Sequence, residues 1–283
     1  MNGEKDAAAP RQQIKEEHKK VFRAGSKTYF NSSLFFPPRI RERVFTLYAF
    51  VRVADNFVDA LPQKDREFRD FRRRCEEALR GKPAGDTIID PFVALSAECS
   101  FDPAWTKAFL DSMEADLSKK NYDTLEETLA YVYGSAEVIG LFMARIMELP
   151  GEAHSAAALL GRAMQYINFI RDIAEDTSLG RRYLPLNGAC TDVVTASYAR
   201  ENPGEFSAFL GGHLALYRVW QKEAVAGYRF IPRRCRIPIK TAADMYWWTA
   251  DRIAREPLLV FEKKVKPSKA RIFLQMARNA VGG

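Results

Sequence analysis

Three carboxylates crowd one short apolar stretch, NFIRDIAEDT (168–177): Asp172, Glu175 and Asp176. On a helix advancing about 100° per residue, Asn168, Asp172 and Asp176 follow one another at i,i+4 steps, with Gln165 and Glu175 beside them. All five share a stripe roughly 100° wide, and Ile167, Phe169, Ile170 and Ile173 lie mostly off it. A solvated face explains this equally well, because like charges one turn apart cost only about 0.2–0.5 kcal/mol when exposed. A second segment, YAFVRVADNFVDA (48–60), carries Asp55 and Asp59 one turn apart, with Tyr48 and Arg52 on their face and apolar flanks. Two such helices, each core-like, argue against plain surface.

If both patches face one cavity, they need counter-charge. Two unit charges about 4 Å apart repel by about 4 kcal/mol at an effective dielectric of about 20. Oxygen-only ligands favour Mg2+ or Mn2+, and Mg2+ completes its shell with water and substrate phosphates. The implied ligand is a phosphate or diphosphate. Arg52, Arg171, Arg181 and Arg182 supply cations to grip its oxygens. The apolar remainder would hold a hydrocarbon. Acidic clamp, basic grip and greasy surroundings together describe an isoprenoid diphosphate site.

The elements that must position these residues read as helices. Pro37-Pro38 precede a periodic run that stops before Leu61-Pro62, and residues 64–80 read as a charged helix ending at Gly81. Pro91 and Pro103 each mark a helix start. Asp123 or Thr124 caps a helix from 125 to about 148, and 152–177 form the next. SLGRRYLPLNGAC reads as a loop. Asn202-Pro203 open a helix to about 230; another spans roughly 239–256, and a last one follows Pro267-Ser268. Alternating strands are absent. The fold class expected is all-α, with about eight to ten helices in one domain over 21–283, after a flexible N-terminal tail over 1–20.

Composition narrows the classes. The 283 residues are 47% hydrophobic, enough for a sizeable core, and the net charge of +7 suits a phosphorylated substrate or an anionic surface. Cys75, Cys99, Cys190 and Cys235 have neither disulfide-framework nor zinc spacing and read as reduced thiols of a cytoplasmic protein. No zincin, P-loop or nucleophile-elbow motif occurs. The polar N-terminus is no secretory signal, and the best apolar run, VIGLFMARIM, is too short to span a bilayer. The rival reading is an adaptor binding nucleic acid or membrane through RDFRRRCEEALRGK (69–82) and PRRCR (232–236). No nucleic-acid motif supports it, so nucleic acid is not an expected partner. Weak membrane-surface association remains compatible with a lipid substrate. His18, His154 and His213 read as incidental, and Met113 and Met143 as core filler.

The two acidic motifs, RVADNFVD (52–59) and NFIRDIAED (168–176), with GRRYLP (180–185) following, resemble those of the squalene/phytoene synthases. GSKTYF (25–30), DSMEADL (111–117), YVYGSAEVIG (131–140), IPRRCRIP (231–238) and Tyr246 extend the resemblance from about residue 20 to the end. It implies an isoprenoid-synthase-type helical bundle with a central apolar cavity. The implied activity is Mg2+-dependent head-to-head condensation of two prenyl diphosphates through a cyclopropylcarbinyl diphosphate. Asp55 and Asp59 would bind metal on one diphosphate; Asn168, Asp172 and Asp176 would serve the other metal cluster. Arg52, Arg171 and Lys269 would contact diphosphate, helped by Lys27, with Ser26 and Thr28 lining the pocket. Tyr131, Gln165, Tyr183 and Tyr246 would lie near the diphosphates or the cation. YGSAEVIG looks most like prokaryotic phytoene synthases, which implies two geranylgeranyl diphosphates and phytoene. The alternative is two farnesyl diphosphates giving squalene, with NADPH, or dehydrosqualene. Two departures stand out: Asn56 replaces an Asp of many relatives, and Gly25 a His of some.

Overall fold

The computed structural model describes residues 3–25, 30 and 33–281, with side chains in the first helix described from Gln12 onward. Among the described residues there is no strand, only an isolated bridge between Asn121 and Arg182. The chain divides into two compact units: residues 1–117 with 145–148, and residues 118–144 with 149–283.

The first unit is built on α1 (Gly3–Gly25), α2 (Pro38–Asp59), α3 (Asp65–Leu79), α4 (Ile89–Cys99) and most of α5 (Pro103–Ser118). Helix α2 starts where Pro38 fits the first turn, since its missing N–H has no partner there anyway. Its buried residues Val44, Leu47, Phe50, Ala54 and Val58 recur at helical spacing. Phe50 stacks on Phe92 at 3.7 Å and meets Phe71 and Phe109, so α2 is the axis of this core. Arg43, buried, donates to Glu98 and Glu148 and to the Ile146 carbonyl. The N-terminal segment expected as a tail is corrected for its later part. From Gln12 to Lys20 it is helix, because His18 is buried and bonds the Thr87 carbonyl at 2.7 Å, and Phe22 stacks on Tyr48 at 3.7 Å.

The second unit contains α6 (Leu125–Val132), α7 (Val138–Ile146, whose last two residues belong to the first unit), α8 (His154–Arg171) and α9 (Ile173–Ser178). It continues with α10 (Ala196–Glu201), α11 (Pro203–Ala224), α12 (Arg233–Arg255), α13 (Leu259–Glu262) and α14 (Lys269–Val281). Thr124 caps α6 by accepting from the Glu127 N–H. The single helix expected over 125–148 is interrupted by a π-helical turn, Tyr133–Glu137. Glu137 there is buried and pairs with Arg162 on α8 at 2.7 Å. Gly161 on α8 passes so close that a Cβ would lie 2.3 Å from the Ala136 carbonyl oxygen. The run Leu125–Ile146 is long and apolar enough to cross a membrane, but 56% of its apolar window is buried inside the protein and it is interrupted by the Glu137 ion pair. Helix α12 starts six residues before the expected boundary and passes through Pro238.

Candidate active site

The helix expected over 152–177 is two helices, with Asp172 at the joint between α8 and α9. The register survives: Asp172 N–H bonds the Asn168 carbonyl at 2.8 Å and Asp176 N–H bonds the Asp172 carbonyl at 2.9 Å. Asn168, Asp172 and Asp176 therefore stay in i,i+4 steps. Helix α9 ends in a Schellman motif. Arg181 N–H reaches the Asp176 carbonyl, Gly180 N–H reaches the Thr177 carbonyl, and Gly180 sits at φ +68°. That turn reverses the chain beside the acids and brings Arg181 close enough to offset charge on Asp176.

Burial, reinforced by Asp172 and Glu175, pushes the Asp176 carboxyl up to about 8, against the partial offset of Arg181 and Lys264. Asp172 accepts from Arg171 at 2.8 and 2.5 Å. Lys264, 92 residues downstream, lies 3.3 Å from Asp172 and bonds Glu175 at 2.5 Å. Lys264 is a site cation that spacing alone did not reveal; its only local sign is the basic stretch KKVKPSK (263–269). Lys269 is exposed on the first turn of α14. Glu175 is held by Lys264 rather than by Arg171.

Metal fit can be tested on these atoms. Among the described residues no three His, Cys, Asp or Glu side chains form a ready-made cage. Yet Asn168 Oδ1 is buried without a hydrogen-bond partner, on the same stripe as Asp172 and Asp176. A buried acceptor left unsatisfied, next to carboxylates whose charge is costly, suits a hard divalent cation. Mg2+ needs only one or two carboxylates, so an incomplete protein cage is the expected arrangement.

Phe169, next to Asn168 on α8, belongs to a cluster of rings. Tyr183 stacks on Phe169 at 4.5 Å, and lies 5.1 Å from Tyr131 and 5.5 Å from Tyr122. All four are buried. Thr128 fixes Tyr183 by donating to its carbonyl at 2.8 Å. Tyr131 and Tyr183 thus meet in one ring cluster, with Tyr122 and Phe169 as partners that the motifs did not announce. The reading of Arg182 as a phosphate grip is corrected. Its guanidinium donates to the Tyr122 and Leu184 carbonyls and to Asp123, strapping the loop down. His213 is likewise no bystander. Its Nε2 faces the Pro185 carbonyl at 3.1 Å, so Nδ1 accepts from the buried Tyr166 hydroxyl at 2.7 Å. Gln165, half-buried on α8, lies within 3.5 Å of Asn168 Nδ2. Burial pushes the Tyr217 hydroxyl far above an ordinary phenol, with smaller electrostatic contributions from Tyr228 and from Tyr246, half-buried on α12.

In the first unit, Arg52, Asp55, Asp59 and Tyr48 occupy one face of α2 next to its buried face. Arg52 bonds Asp55 at 2.5 Å, and Asp59 and Asn56 are exposed. A Cβ on Gly25 would meet the Tyr48 hydroxyl at 2.5 Å, so the glycine lets Tyr48 and Arg52 close on the end of α1. Ser26, Lys27 and Thr28 lie outside the described residues.

The sequence and the fold have known relatives. The chain is 28% identical to a 15-cis-phytoene synthase of Paracoccus sp. over 257 residues, 87% of this chain and 84% of that protein. It is 26% identical to a phytoene synthase of Rhodobacter capsulatus, covering 93% of this chain and 80% of the relative. Among solved structures, a dehydrosqualene synthase superposes with a TM-score of 0.82 at 23% identity, covering 96% of both chains. A squalene synthase from Alicyclobacillus acidocaldarius gives 0.77 at 20% identity, covering 86% of this chain and 94% of the other. These structural likenesses carry the isoprenoid-synthase helical fold. Residues 22–271 match the squalene/phytoene synthase family model, and the chain belongs to that family of prenyltransferases.

Proposed function

We propose that this enzyme condenses two geranylgeranyl diphosphates head to head, through a cyclopropylcarbinyl diphosphate, to phytoene, with loss of two diphosphates and two protons. The observation that supports diphosphate chemistry most is the Asn168–Asp172–Asp176 stripe: an orphaned buried oxygen and a charge-strained carboxyl flanked by Arg171 and Lys264. The phytoene synthase relatives favour the C20 substrate.

In this reading Asp55 and Asp59 hold metal for one diphosphate, and Asn168, Asp172 and Asp176 for the other. Bound Mg2+ would supply positive charge to the departing diphosphate oxygens. Arg52, Arg171 and Lys264 turn from carboxylate to diphosphate oxygens when substrate binds, with Lys27 and Lys269 as further cations. Such exchange is cheapest at Arg52–Asp55, where about a third of each side chain is exposed, because exposed ion pairs contribute only about 0–1 kcal/mol. Tyr131, braced by Tyr122, Tyr183 and Phe169, turns an aromatic face to the allylic cation, and Tyr246 and Gln165 line the same pocket. By the family resemblance, Ser26 and Thr28 would also contact substrate. The buried rings exclude water that would quench the cation. We infer a cytoplasmic enzyme meeting its lipid substrates at the membrane surface.

A product assay tests the reading. Purified protein with Mg2+ and C20 diphosphate, without NADPH, should yield a C40 hydrocarbon by mass spectrometry. A C30 product from farnesyl diphosphate would instead match the dehydrosqualene and squalene synthase neighbours, with NADPH dependence separating the two. No product from either substrate would sink the catalytic reading.

A further inference from the structure

Helix α14 is amphipathic the wrong way round for a helix on a protein surface. Gln275 and Asn279 face inward and donate to Asp244 on α12 at 2.7 and 2.8 Å. Met276 is buried beside them. Outward point Phe273, Leu274 and Val281, which are 58%, 56% and 87% exposed. With exposed Ala270 and Ala277 they form a continuous apolar stripe about 100° wide. Its orientation is secured at both ends: Arg271 lies over the Trp248 ring at 4.8 Å, and Arg233 donates to the Ala280 carbonyl at 3.0 Å. The polar side of this helix is spent on the protein, and its apolar side is turned to the outside.

The charges bordering the stripe indicate what covers it. Arg271 and Arg278 follow one edge and Lys269 the other, and α14 contains no Asp or Glu. Exposed Lys263 and Lys266 precede it. A membrane-surface helix has this composition: apolar side chains enter the acyl boundary while flanking cations meet anionic headgroups. Single exposed apolar residues need no explanation, but a contiguous stripe with one sign of charge on its rim does.

We propose that the outward face of α14 docks the enzyme on an anionic lipid bilayer through Phe273, Leu274 and Val281, with Arg278 on the headgroups. This deepens the proposed meeting of enzyme and lipid at the membrane surface by naming the face that makes it, and does not depend on which hydrocarbon is made. It gives the chain a physical means of exchanging lipid substrates and products with the bilayer. Phe273, Leu274, Val281 and Arg278 have no role in the catalytic reading, so docking and turnover separate in experiment.

The test is flotation of the full-length protein with phosphatidylcholine vesicles, with and without phosphatidylglycerol. The parent should float with the anionic vesicles and come off them in high salt. Phe273→Ser/Leu274→Ser should cut the bound fraction about tenfold or more, while its thermal transition and its turnover of detergent-dispersed substrate stay as in the parent. Arg278→Gln should weaken binding to anionic vesicles only. A parent that stays with the unbound fraction, or a double variant that floats like the parent, overturns the proposal. So does a parent that light scattering shows to be a dimer while the double variant is a monomer, since a second copy of the chain would then cover the stripe.

Discussion

At the residue scale, the site is defined by charges that the protein alone does not fully balance. Asp176, whose carboxyl sits near 8, has an unfolded value near 3.9. The folded state therefore binds more protons than the unfolded one between those values, and stability falls as pH rises from about 4 to about 8. Asp176→Asn removes that cost. In chelator at pH 8.5 the variant should melt above the parent, the gain should vanish near pH 4, and prenyl condensation should be lost; calorimetry and the product assay check this. His213 works in the opposite sense. Burial depresses it to about 4, against 6.5 unfolded, so the native state keeps it neutral. Stability is lost as pH falls from about 6.5 toward 4, by up to about 3 kcal/mol. His213→Leu strands the Tyr166 hydroxyl and the Pro185 carbonyl, at a cost of about 1–3 kcal/mol for each unsatisfied group. Denaturant titrations should show the variant weaker at pH 7.5 and closer to the parent at pH 5.

At the element scale, two backbone features position the acids and rings. The π-helical turn at Tyr133–Glu137 directs Glu137 to Arg162, six residues beyond Tyr131. The same segment meets Gly161 backbone to backbone, and no side-chain movement can relieve a Cβ there. Gly161→Ala should cost about 1–3 kcal/mol or more and lower turnover, read from unfolding midpoints and initial rates. Gly180→Ala has open space around its Cβ but keeps φ at +68°, so only about 1 kcal/mol should be lost. Much at this scale is legible locally. The Pro37-Pro38 start, the Thr124 cap and the Asn202-Pro203 start are each written within a few residues of the helix they open. The π turn is not, because Tyr133–Glu137 keeps helical composition and departs only where α8 presses against it. The break at Asp172 is equally silent, since both flanking helices share one apolar pattern.

At the scale of the whole molecule, the net charge of +7 has a kinetic consequence. A diphosphate approaching a basic protein is attracted over roughly a Debye length, about 10 Å at 0.1 M salt. Raising salt from about 0.05 to about 0.5 M at fixed Mg2+ should lower kcat/KM more than kcat in steady-state assays. The sequence by itself determined the all-α class, the order of the helices, the two acidic stripes and the family they resemble. Each rests on periodicity, caps or motifs contained in a few neighbouring residues. Tertiary structure alone decided which distant groups meet. Lys264 reaches Asp172 across 92 residues, His213 ties Tyr166 to Pro185, and Tyr122 joins Tyr131, Phe169 and Tyr183. It also decided that α14 turns its apolar side outward. A helix's own pattern marks two faces but not which one its neighbours cover; here Asp244 on α12 takes the polar side and leaves Phe273 and Leu274 outside.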